Sequence, residues 1–167
     1  GTHTLPASST TGAYAINGGI LGGTGAIDLS GGNQSVTFAS GAKLQASSTD
    51  SLTFTLGSGS LDLSAALSAA SPSLLFTLGA PGSTVVAASH ATFGGGLLNF
   101  DDFSFTTGAG FGPGAYTLFE LTSFSGSLGT SLTGTVGGLD AIISLDGNDI
   151  ILTASGVPEP DSAAALG

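Results

Sequence analysis

Short runs in which apolar and polar residues alternate, separated by glycine pairs, set the pattern of this chain. After a polar opening segment, AYAINGGILGGTGAIDLSGG (13–32) breaks each apolar run with a Gly pair. Glycine supplies the positive φ that a tight bend needs, so this stretch predicts short strands joined by sharp turns. Leu52, Phe54 and Leu56 alternate with Thr53 and Thr55, which puts the three apolar side chains on one strand face and the threonines on the other. No window combines the Ala, Leu, Glu and Lys content of a helix.

The pattern repeats. LTFTLG (52–57) and LLFTLG (74–79) agree at five of six positions with an offset of 22 residues, and one further step reaches GLLNFD (96–101). A period of that size that returns strand onto strand is the mark of a solenoid, whose coils bury their apolar faces only by stacking on one another. It predicts Phe54 above Phe76 in an interior ladder, and about six coils between Gly18 and Ala154. Near the end, apolar runs at Ala141 to Leu145 and Ile150 to Leu152 flank Asp146-Gly147-Asn148-Asp149, a hairpin signal with a type I′ turn. The expected fold class is therefore all-β: a right-handed parallel β-solenoid closed by a C-terminal antiparallel hairpin cap. A β-sandwich, which needs the same short alternating strands, is the alternative. The expected division is an extended N-terminal arm over 1–12, a solenoid domain over 13–155 and a tail over 156–167.

Composition narrows the function. Among 167 residues there is one cation, Lys43, against eleven carboxylates, for a net charge of −10. Nucleic acid and anionic lipid are bound by clustered Lys and Arg, so neither fits as a direct partner. Charged residues make up only 7% of the chain while 41% is apolar, which argues for a packed core over disorder. Polarity comes instead from 44 Ser and Thr. With no Cys there is no disulfide or thiolate metal site, and with no Trp and two Tyr the aromatic girdles of a membrane barrel are missing.

Few residues offer chemistry. His3 and His90 are the only imidazoles and Asp101-Asp102 the only adjacent carboxylates, an inventory too thin for an acid, a base and a nucleophile. No enzyme activity, cofactor or metal is expected. Asp140, Asp146, Asp149 and Asn148 carry oxygen ligands, but their spacing matches neither an EF-hand nor a nonapeptide calcium repeat. Asn33-Gln34-Ser35 is a glycosylation sequon, which makes Asn33 a candidate modification site. A Thr-x-Thr ice-binding ladder is broken at the first step of 22, where Leu75 replaces Thr53.

The tail brings in a family. Val157, Pro158, Glu159 and Pro160 resemble the Val-Pro-Glu-Pro core of the PEP-CTERM sorting signal, with Ala163 to Leu166 where its apolar helix begins; the helix and the basic cluster that follow it in the family are not in the chain. The stretches GGILGGTGAIDL (18–29) and GPGAYTLFELTSFSGSL (112–128), with the LTFTLG copies and the hairpin, are similar to the passenger-type β-strand repeats of autotransporter-like proteins. This resemblance implies export in a Gram-negative bacterium, handling by an exosortase, and residence at the cell surface or in an extracellular or biofilm matrix.

Together these features lead to the expectation of a secreted structural protein that self-assembles through β-edge contacts into a filament or a surface layer, its partners being copies of itself. Thr4, Leu5, Tyr14 and Ile16 are the expected subunit-contact residues, because an extended segment adds main-chain bonds to an open edge. The alternative is a monomeric adhesin or matrix module holding extracellular polysaccharide through hydroxyls and Phe faces.

Overall fold

The computed structural model describes residues 2–4, 13–69 and 72–156. They wind about three turns of a parallel β-solenoid and end in antiparallel strands. Each turn presents three faces. The first turn contributes β1 (Thr2–Thr4), β2 (Tyr14–Ile16) and β3 (Ile20–Gly22), and the next β4 (Gly25–Asp28), β5 (Val36–Phe38) and β6 (Lys43–Ser47). Then come β7 (Leu52–Thr55), β8 (Leu61–Asp62), a single helical turn at Ser64–Leu67, and β9 (Leu74–Leu78). Two long strands, β10 (Thr84–Leu98) and β12 (Gly114–Leu128), bracket a 3-10 turn at Phe100–Asp102 and β11 (Phe103–Thr107). The chain closes with β13 (Thr133–Val136), β14 (Leu139–Asp146) and β15 (Asp149–Ser155).

The rungs form three parallel stacks. β1, β4, β7, β10 and β12 make the first face, β2, β5, β8 and the second half of β10 the second, and β3, β6, β9 and β11 the third. Because β10 bends around a corner without a break, the first two faces belong to one sheet of eleven strands, and the third is a separate sheet of four.

The repeat of 22 residues does not stack. Phe54 lies between Ile27 and Ala88, and Phe76 lies between Ala46 and Phe105, so the predicted Phe54–Phe76 ladder is corrected. The two LxFTLG copies are β7 and β9, different faces of the same turn. They look alike because each is an inward-alternating strand that ends at a glycine, not because one lies over the other. A true lap runs from Tyr14 to Val36 at its shortest and from Leu52 to Val86 at its longest. Laps of that length reduce the expected six coils to about three.

Inside, the alternation holds. Leu21, Leu44, Leu74 and Phe103 line up down the third face, and Ile27, Phe54, Ala88 and Leu121 down the first. Phenylalanines then knit the faces together: Phe76 meets Phe103 edge-on at 5.4 Å between ring centroids and tilts against Phe119 at 5.5 Å, while Phe93 meets Phe119 edge-on at 5.2 Å. Such pairs add ~1 kcal/mol each beyond the area they bury. Near the bulge in β10, Gly126 has a φ of +112° and a Cβ there would strike the carbonyl oxygen of Gly94, so only glycine lets the two long strands lie together.

The last three strands cover one end. β15 runs antiparallel on β12, β14 on β15 and β13 on β14. Val136, Ala141, Ile143, Ile150, Leu152 and Ala154 are buried in the common core, as expected of a cap. The hairpin turn differs in type from the expectation. Gly147 has a φ of +63° and Asn148 has no positive φ, the signature of a II′ turn and not a I′ turn.

Candidate functional site

The residues that carry chemistry are used by the backbone. Asp28-Leu29-Ser30 and Asp62-Leu63-Ser64 repeat one device: the Asp Oδ1 accepts the Ser N–H at 3.0 Å and the Ser hydroxyl at 2.6 Å, and the Leu between is buried. Each ends a strand and turns the chain into a corner. The Ser30 hydroxyl and amide hold the Asp28 carboxyl below the ordinary carboxylate range.

Asp102 stands at the corner between the second and third faces. Its Oδ2 accepts the Asn99 N–H at 2.6 Å in a capping box that starts the 3-10 turn. Burial pushes its carboxyl up, Asp101 beside it adds to the rise, and the Asn99 N–H opposes both. His90 lies at the preceding corner, between the part of β10 that pairs with β7 and the part that pairs with β8, and its Nδ1 is hydrogen-bonded to the Ser123 hydroxyl on β12. The pair holds adjacent rungs in register. His90 and the Asp101-Asp102 carboxylates thus serve different corners of the coil.

An open groove of about 400 Å³ crosses the outer side of the first face, lined by Thr53, Thr55, Ser89, Thr122, Glu120 and Asp149 among others. Its two carboxylates are already engaged. Glu120 accepts the Thr84 hydroxyl at 3.1 Å, and Asp149 Oδ1 accepts the Leu121 N–H at 2.8 Å. Asn148 donates to the Thr122 carbonyl at 2.7 Å, so the hairpin turn is clipped onto β12 by side chains that the sequence offers as oxygen ligands. Among the described residues, no three of His, Cys, Asp and Glu gather as a metal ion requires. Nor do threonines form a double ladder there: Thr53 has Ala26 and Ala87 as neighbours, and Thr55 has Asp28.

Two asparagines build corners, a feature sequence reasoning missed. Asn33 Oδ1 accepts the Ser58 N–H and Asn99 Oδ1 the Ser131 N–H, each at 3.0 Å, one rung away. A Cβ at Gly57 or Gly129 would strike these side chains, so each asparagine faces a glycine on the next lap. The spacing from Asn to the facing Gly was the available signal, hidden because the two laps differ in length. Asn33, the sequon residue, is exposed and has a φ of +51°.

The expected contact residues fall at the first turn. Thr4 lies in β1 opposite Asp28 of the same chain, and Tyr14 and Ile16 lie in β2 opposite Val36 and Phe38. Among the described residues β1, β2 and β3 each pair with one strand only. Tyr14, Ile16 and Leu21 are half-buried where their counterparts on the next rung, Val36, Phe38 and Leu44, are buried, and Ile20 is 57% exposed. Leu5 and the sorting motif Val157, Pro158, Glu159 and Pro160 lie outside the described residues.

The class these observations define is a capped parallel β-solenoid with one covered end. No family model, curated protein or solved structure matches the chain.

Proposed function

We propose that this chain is a secreted, non-catalytic structural protein that associates with copies of itself through β-edge contacts, in a filament or a surface or matrix layer. One observation carries the reading: β1 and β3 pair on one side only among the described residues, and neither holds a charged residue or a proline. Natural proteins guard such edges with charge, proline or bulges, and an unguarded edge pairs with further strands. The resemblance of Val157 to Pro160 to an exosortase signal supports export to the surface of a Gram-negative bacterium, as does a fold held by ladders and packing with a single cation. Carbohydrate binding has less behind it, because the phenylalanines that would stack on sugars are buried or half-buried. Light scattering across a concentration series of the full chain, with negative-stain electron microscopy, tests the reading. Species above monomer mass are expected. A chain that stays monomeric throughout and is retained on polysaccharide beads overturns self-assembly in favour of an adhesin.

A further inference from the structure

We infer that two copies meet open end to open end, first turn against first turn, about a two-fold axis; the inference rests on the self-association reading and names its first contact. The evidence is the distribution of charge over the ends. β1, β2 and β3 themselves hold no Asp, Glu, Lys or Arg, on a chain of net charge −10, and the nearest charges, Asp28 and Lys43, lie one rung inward. Two such ends approach without the like-charge repulsion that the whole molecule would otherwise impose. The opposite end is acidic: Asp140, Asp146 and Asp149 lie on β14 and β15, with Glu120 on the neighbouring β12. Cap against cap therefore places carboxylates together.

On the first face head-to-tail stacking fails on the ladder, although on the third face β11 pairs with β9 alone among the described residues. The first face ends with β15 antiparallel on β12, so no parallel rung continues past the cap to receive β1 of another copy. Lys43, the one cation, pairs beside Ile20 from the second rung, about 4.8 Å inside the plane of contact. A two-fold axis through the third face instead sets β3 of one copy against β3 of the other in antiparallel direction, a ladder the backbone forms at least as well as a parallel one. Ile20, on the edge strand β3, is the large apolar side chain this contact would cover.

Sedimentation or native mass spectrometry of the full chain tests this with two oppositely charged variants, Ile20→Lys and Ile20→Glu. Because Ile20 is exposed, both should keep the wild-type circular dichroism. Each alone should weaken association at least tenfold, and an equal mixture should restore it, since only a two-fold contact brings the same residue of both copies close. Ile20→Cys repeats the test without a charge: under mild oxidation the two-fold contact should join the two cysteines in a covalent dimer, and a chain that associates without that cross-link overturns the contact. Loss of association with no recovery on mixing overturns the two-fold contact and leaves self-association standing. Variants that associate like wild type also overturn it, by moving the contact elsewhere, and a monomeric wild type overturns both readings.

Discussion

The first turn and the last differ in how their strands are held. β1, β2 and β3 are three residues each and are bonded on one side among the described residues, and Tyr14, Ile16 and Leu21 on β2 and β3 are only half-buried against the core. β10 and β12 are fifteen residues each, pair along most of their length, and carry Phe93, Phe119 and Tyr116 into the interior. In a solenoid each rung draws its stability from its neighbours, so the difference teaches that the molecule is graded along its axis: firm at the capped end, loose at the open one.

The sharpest way to break that picture is at Phe119, which touches both Phe76 and Phe93. Phe119→Ala should cost about 3–5 kcal/mol in urea unfolding, enough to unfold a marginal domain; a loss under about 1 kcal/mol would place the firm region elsewhere. Leucines on one ladder give the next test. Leu44→Ala, fully buried, should cost about 2–5 kcal/mol, and Leu21→Ala, half-buried one rung outward, less than half as much. Equal losses would remove the gradient. The corner asparagines sharpen it further: Asn99→Ala should cost about 1–2 kcal/mol, because it frees the Ser131 N–H and breaks the capping box, and Asn33→Ala about 1 kcal/mol. The smallest effect belongs to Asp102. Its folded-state carboxyl is raised above 3.8, so the folded chain holds the proton more tightly than the unfolded one. Stability should therefore fall as pH rises from about 4 through the folded value, then level off. Asp102→Asn should flatten this slope in urea midpoints read between about pH 4 and pH 7, and an unchanged slope would assign it to other carboxylates.

The alternation of Leu52, Phe54 and Leu56, the hairpin at Asp146 to Asp149 and the all-β class were legible because each depends on neighbours a few residues apart. Lap length was not. It is set at corners, where Asp28-Leu29-Ser30, Asn33 and the helical turn at Ser64–Leu67 take up different numbers of residues while the strands keep register. A search for a constant period finds the likeness of β7 and β9 and reads two faces of one turn as two turns. The roles of Asp149 and Asn148 were hidden for a related reason: their partners, Leu121 and Thr122, lie on a strand more than twenty residues earlier, and only the folded cap brings them together.

One-sided bonding of the first rungs also has a mechanical meaning. Tension applied between the two ends of the chain would load β1 and β15 alike, and β1, bonded to β4 alone among the described residues, would yield before β15, which is bonded to both β12 and β14, with β4 and β7 peeling next. Each peeled lap of roughly 30 residues would pay out about 100 Å of slack. Single-molecule pulling should show this as a few yielding steps of that size at rising force, and one abrupt rupture would deny it. A matrix built from such units would stretch by uncoiling at its joints before any unit lost its core.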